Sequence, residues 1–142
     1  MDTMYKVLAA AIGAVVSFFT GIPVIMWVLV GVMTLDFLTG IMTGAMGVSN
    51  KTDGGRLSGR AAFEGLMRKV MVLLVVMLAV LLDLAVQTGA GVSFSAVTGA
   101  TCLWFIASEG VSILENAAQM GLPVPDILLH TLDMMTQGDK TE

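Results

Sequence analysis

Four acidic side chains, Asp36, Asp83, Glu109 and Glu115, stand in or beside stretches that carry almost no other charge. Asp36 is the single charged residue between Val7 and Asn50, and Asp83 is the single one between Val70 and Ser108. Isolated carboxyl groups in apolar surroundings can relay protons or cations, respond to an electric field, or fix how helices pack. An ionised acid at the centre of a membrane helix costs about 2.5–3.5 kcal/mol on insertion scales. Each such acid therefore needs a proton, a hydrogen-bonding neighbour such as Thr34, Thr39 or Ser108, or a water-filled space between subunits. By default an intramembrane ionisable residue marks a functional site. Other chemistries lack their residues. The chain has one cysteine, Cys102, and one histidine, His130. That rules out an internal disulfide and a Cys/His zinc site, and it leaves no nucleophile–histidine pair for an enzyme. No metal and no cofactor is expected. Cys102 reads as a small apolar residue facing lipid or another helix, and His130 as interfacial.

The elements that carry these acids follow from composition. Of 142 residues, 56% are hydrophobic and 13% charged, and the mean hydropathy is +0.90. A soluble domain is about 25% charged, so the solvent that shaped this sequence is a bilayer. One crossing takes roughly 20 residues. The apolar block 7–50 is too long for one helix and folds back at Gly21-Ile22-Pro23; the second block turns at Gly89-Ala90-Gly91. The expected fold is all-α, with four transmembrane helices at about 4–22, 24–47, 65–88 and 94–119. They form two hairpins joined by a basic loop, 48–64, within a membrane domain spanning 1–120. A three-crossing alternative leaves the first segment at the interface, but Val7–Phe19 lacks the polar face that an interfacial helix needs. Thr20-Gly21-Ile22 is a poor cleavage site, so the first segment is read as a retained helix. Lys51, Arg56, Arg60, Arg68 and Lys69 hold five of the seven Lys and Arg residues. Short basic loops stay cytoplasmic, which puts both termini on that side. Ser58-Gly59-Arg60 is where a cytoplasmic extension of the third helix would begin.

Counted from the loop, Asp36 lies 15 positions before Lys51 and Asp83 lies 14 after Lys69. This spacing predicts that the two acids share one depth, past the midplane, with no Lys or Arg level with them or with Glu109. Glu115 reaches the cytoplasmic interface, where Arg68 or Lys69 could pair with it and clasp the third helix to the fourth. Small residues four apart allow close helix contact. They occur as Gly13, Ser17 and Gly21 in the first helix, and as Gly40 and Gly44 on the Asp36 stripe of the second. These faces suit packing within one bundle or between copies.

The run Glu109-Gly110-Val111-Ser112-Ile113-Leu114-Glu115-Asn116, with Gly121, Pro123 and Pro125 after it, resembles the toxin-secretion/phage-lysis holin family. Asp36 with Thr39-Gly40, and Gly65-Leu66-Met67-Arg68-Lys69, match it as well. The resemblance covers about residues 33–130. It implies a small protein that self-associates in the bacterial inner membrane and opens lesions there. Through these an endolysin passes, or a toxin in some relatives; an antiholin is a candidate regulatory partner, and no nucleic acid is expected. Related tails look more basic. Here residues 121–142, read as a cytoplasmic tail, hold Asp126, Asp133, Asp139 and Glu142 against Lys140. Asp126, His130, Asp133 and Gln137 fall on one helical stripe, with Leu128, Leu132 and Met135 opposite. A short amphipathic helix could lie over the basic loop. Apart from the resemblance, the residues also fit a proton- or cation-coupled transporter subunit, or a structural membrane adapter.

Overall fold

The computed structural model describes the backbone of residues 2–93 and 95–137, and the side chains of these except 2, 11, 14–20, 129, 132, 133 and 135–137. The described residues fold as five helices: α1 (Asp2–Thr20), α2 (Val24–Met46), α3 (Gly59–Ala90), α4 (Ala96–Gln119) and α5 (Asp126–Gln137). Among them α2, α3 and α4 are long and apolar enough to cross a membrane. Their 23, 32 and 24 residues correspond to about 34, 48 and 36 Å, against a hydrocarbon core of about 30 Å. The surplus of α3 lies at its start. The helix begins at Gly59, six residues before the expected crossing at Gly65, and Arg60 and Glu64 pair across its exposed first turns (2.9 Å), which need no hydrocarbon.

The α4 helix is the hub. It packs against α2, α3 and α5, whereas α2 and α3 touch each other only sparingly. Among the described residues α1 packs on none of the other helices. Small and polar residues make up much of the interior, and most of the large apolar ones point outward. Thr43, Cys102, Ala107 and Asn116 are fully buried, while Leu38, Met42, Leu74, Met77, Leu81 and Trp104 are exposed. This inverts a soluble core and fits lipid as the outer solvent, since lipid gives no reason to hide leucine. A modest apolar cluster of Leu29, Met33, Val72, Val76 and Cys102 fills the middle of the three-helix unit. Cys102 thus faces helices rather than lipid.

The segment between α2 and α3 is built as firmly as the helices. Gly47 caps α2 in the left-handed region (φ 74°). Leu57 returns to donate its N–H to the Gly44 carbonyl (2.8 Å), and Ser49 donates to that of Gly55 (3.0 Å). Asn50 donates its N–H to Oε1 of Gln119, which ties the segment to the end of α4 (3.0 Å). Two glycines make this possible. A Cβ at Gly55, itself at φ 74°, would lie 2.4 Å from the Gly47 oxygen, and one at Gly44 would lie 3.1 Å from the Leu57 Cα. Gly44 therefore takes a close approach, but from the connecting segment rather than from a neighbouring helix. Gly40 faces Asn116 of α4. Gly13 meets nothing within 4 Å, Gly21 is exposed, and the side chain of Ser17 lies outside those described.

The α5 helix follows Pro125, whose carbonyl accepts the Leu128 N–H (3.0 Å). Asp126 sits in the first turn, where a negative charge is favoured by the helix dipole. His130 and Leu128 are exposed. The side chains of Leu132, Asp133, Met135 and Gln137, the rest of the expected stripe, lie outside those described. The α5 helix lies against α4.

Gly55→Ala should destabilise the protein by about 1–3 kcal/mol, the usual scale of a strained backbone position. Gly65→Ala, where a Cβ meets open space, should be neutral or slightly stabilising. Thermal unfolding in detergent compares them, and equal melting temperatures would refute this view of the loop.

Candidate functional site

The three helices bring their intramembrane charges to one level. Asp36 lies ten residues before the end of α2, Lys69 ten residues after the start of α3, and Glu109 ten residues before the end of α4. Each is therefore about 15 Å from the loop-side end of its helix. Because α3 runs antiparallel to the other two, the three side chains converge. The Lys69 ammonium donates to Oδ2 of Asp36 (2.8 Å) and to Oε2 of Glu109, forming an ion pair with each. All three side chains are close to nine-tenths buried.

A second tier of polar groups supports this triad on the loop side. Asn116 is fully buried and joins α4 to α2 and to the connecting segment. Its Nδ2 donates to Asp36 Oδ1 (3.2 Å) and to Thr39 Oγ1 (2.9 Å), and its Oδ1 accepts from Lys51 Nζ (3.3 Å). Lys51 also donates to Ser112 Oγ (3.0 Å). Lys51 thus reaches back from the connecting segment into the helix bundle, and with four charged groups ionised the cluster sums to zero. Thr34 and Thr39 spend their hydroxyl hydrogens on the carbonyls of Val30 and Asp36, not on an acid side chain. Among the described residues no buried side-chain nitrogen or oxygen lacks a partner.

Asp83 has a different task. It is 4% exposed, and its two oxygens accept the backbone N–H groups of Val97 (3.1 Å) and Thr98 (2.8 Å). These are second and third residues of α4, whose N–H groups have no partner within their own helix. The neighbouring Ser95 makes no side-chain cap. A carboxylate from α3 therefore caps α4 across the turn at Gly91. Hydrogen bonds to a charged group are worth about 1.5–3 kcal/mol each, enough to hold an acid in place here.

Two expectations fail at this point. Asp36 and Asp83 do not share a depth: Asp83 lies 14 residues beyond Lys69, or about 21 Å along α3. Nor do Asp36 and Glu109 lack a base at their level. Both errors arise from the connection between α2 and α3. The 15 positions from Asp36 to Lys51 include a helix cap and turn, and Lys69 is not loop but the third turn of α3. The α3–α4 clasp exists, but Lys69 makes it with Glu109. Glu115 is exposed, as is Arg68. Sequence reasoning named Thr39, Lys51, Lys69 and Asn116 but missed the roles they play here. One signal was available: Glu109, Ser112 and Asn116 are three and four apart, so they share one face of α4. Glu115 falls off it.

On the loop side of the triad the helices and the connecting segment line an open recess of about 310 Å³, whose walls include Asp36, Lys69, Glu109, Ser108, Ser112 and Lys51 together with the apolar Phe37, Ile41 and Leu57. Arg68 also lines it. Among the described residues no cluster of acids, histidine or cysteine fits a metal ion. The arrangement offers bound charge, close helix packing and a polar recess.

Comparison with known proteins places this geometry in context. The bacteriophage holin family matches residues 13–137. An uncharacterized protein of Halalkalibacterium halodurans is 32% identical over the whole of both chains. One from Listeria innocua is 30% identical over all of this chain and 95% of its own. A probable holin of Bacillus phage phi105 is 35% identical over 61% of this chain and 62% of its own. No solved structure matches.

Asp83→Ala should cost about 1–2 kcal/mol, the scale of a lost helix cap. It should also speed amide exchange at Val97 and Thr98 before the rest of α4. Unchanged exchange there would refute the cap. Asn116→Leu should cost about 1–3 kcal/mol by stranding buried polar partners, whereas Glu115→Gln should be neutral; unfolding in detergent separates the two.

Proposed function

Since this chain belongs to the bacteriophage holin family, a family of non-enzymatic membrane proteins, we propose that it self-associates in the bacterial cytoplasmic membrane and opens lesions that time lysis. Its cargo is an endolysin, with a toxin as the alternative. The basic connection between α2 and α3 and both termini lie on the cytoplasmic side, because the positive charges concentrate there. In this reading α1, of 19 residues, is a fourth crossing. Among the described residues it packs on no other helix, and Gly13 and Ser17, with Gly21 just past its end, are offered to another copy. An antiholin, if there is one, would compete for such a face.

The observation that carries the proposal is the triad within a multi-pass membrane fold. A lesion-forming protein must hold one packing until it triggers and then exchange it for another. Here α2 and α3 have little direct contact, so the Lys69–Asp36 ion pair is the charged tie between them, and Lys69–Glu109 ties α3 to α4. Removing one partner of a buried ion pair costs about 3–5 kcal/mol. Moving one charge through 100 mV is worth about 2.3 kcal/mol, so a change in membrane potential acts on the same scale as the tie. A transporter subunit would need a carboxylate free to bind and release its ion. Asp36 and Glu109 are both engaged by Lys69, and Asp83 by α4, which favours the holin.

Induced expression in a bacterium should give abrupt, timed loss of viability, hastened by an uncoupler. Lysis should follow only when an endolysin is co-expressed. Continued growth at confirmed membrane levels of the protein, or flux of small ions alone, would overturn the proposal. Lys69→Met should bring the onset forward, by roughly tenfold in triggering rate for each 1.4 kcal/mol removed from the barrier. An unchanged or delayed onset at equal membrane levels would count against the triad as the tie.

A further inference from the structure

The cavity between the triad and the connecting segment is placed unlike an ordinary packing defect. Asp36, Lys69 and Glu109 form its inner end, Ser108 and Ser112 its α4 wall, and Thr52 and Ser58 of the connecting segment its outer end. Beyond the triad the lining changes at once. On α2 the next inward residues are Met33 and Leu29, on α3 Val72 and Val76, and on α4 Cys102 with Ile106 beside it. Phe37, Ile41, Leu57, Ala61 and Ala62 also line the recess, so the interior of the three-helix unit is layered: mixed polar and apolar and open to the loop, then charged, then apolar and packed.

A cavity holds water when it is polar, roomy and offers each molecule two or more partners. At roughly 30 Å³ per molecule, this one has space for about ten. Its oxygens, ammonium groups and guanidinium supply the partners. The apolar layer supplies none, and its central residues are almost fully buried: Leu29 is 1% exposed, Val76 1% and Cys102 0%. Cys102 stands seven residues, about 10 Å along α4, beyond Glu109. It is the only thiol in the chain, so it reports on the seal without any substitution.

We propose that each subunit contains an aqueous half-channel, which admits water and small hydrated ions from the loop side as far as the Asp36–Lys69–Glu109 triad and is sealed there by the layer of Leu29, Met33, Val72, Val76 and Cys102. The inference rests on α2, α3 and α4 crossing the membrane, and not on lesion formation. The half-channel gives the triad contact with the solution on one side only. Any potential across the membrane then falls mainly over the apolar layer, next to the charged groups.

The test is thiol accessibility in the full-length protein, in sealed vesicles of both orientations, before any trigger. The probe is a membrane-impermeant trimethylammonium methanethiosulfonate, and the readout is protection from a later maleimide mass tag. Asp53→Cys, on the exposed connecting segment, identifies the loop side. In a Cys102→Ser background, Ser112→Cys should react from that same side within about tenfold of the Asp53→Cys rate. Native Cys102 should react at least about 100-fold more slowly from either side, because thiol reactivity follows exposure. Ser108→Cys provides a second reporter on the same wall should Ser112→Cys fail to insert. Reporters as slow as Cys102, or labelled from the opposite side, would overturn the half-channel. Rapid labelling of Cys102 in the resting protein would overturn the seal. Neither result depends on whether the protein lyses cells.

Discussion

One ammonium group shared by two carboxylates fixes the arrangement of three helices. Lys69 reaches Asp36 on α2 and Glu109 on α4 at the same moment, and among the described residues no other ion pair links two of these helices. Taking charges out of water costs several kcal/mol per ion. That penalty is tolerable here because each charge has a partner and because Asn116 and Lys51 satisfy part of what remains. Such a cluster is a poor source of net stability and a strong source of register. If α3 slid by one turn, about 5.4 Å, Lys69 would lose both partners. The apolar contacts around it would hardly change, since leucine and methionine meet lipid equally well either way.

The rest of the structure can be understood from that constraint. The large apolar residues are turned outward, so hydrophobic burial does not choose one packing over another. Polar contacts and small residues make the choice instead. Asp83 secures the far end by capping α4 from α3, and the triad secures the loop side. The connecting segment, pinned by Gly44, Gly55 and Gln119, fixes how the chain passes from α2 to α3 beside the end of α4. The unit is thus held at a few polar points and is slippery elsewhere. This is a useful property in a membrane protein that is to change its packing.

Much of this was legible in the sequence. Apolar run length and the turns at Pro23 and Gly91 marked α2, α3 and α4 to within a few residues, and Ser58-Gly59-Arg60 marked the polar extension with which α3 begins. The unusual position of Asp36 and Glu109 also marked them before any geometry was known. The partner of these acids was not legible, for a physical reason. Lys69 falls inside the expected third helix, but hydropathy does not give depth. Counted with the basic charges that set orientation, Lys69 reads as interfacial rather than level with an acid, although α3 begins ten residues before it. The cap made by Asp83 was hidden likewise, because it depends on closing the α3–α4 hairpin. The string from Glu109 to Asn116 carried more than a resemblance: three of its polar residues form the α4 side of the charged and polar layers. Its exposed member, Glu115, has no such place.

The bridging role of Lys69 is tested most directly by exchanging charges. Lys69→Glu alone strands three carboxylates together, and Glu109→Lys alone sets two ammonium groups against one carboxylate. The double variant again has one ammonium group among two carboxylates, at the same level of the same helices. Melting temperatures of the four proteins in one detergent give the coupling between the positions. If Lys69 is the tie, each single variant melts well below the parent and the double variant recovers at least about half of the summed loss. Losses that simply add in the double variant would contradict it.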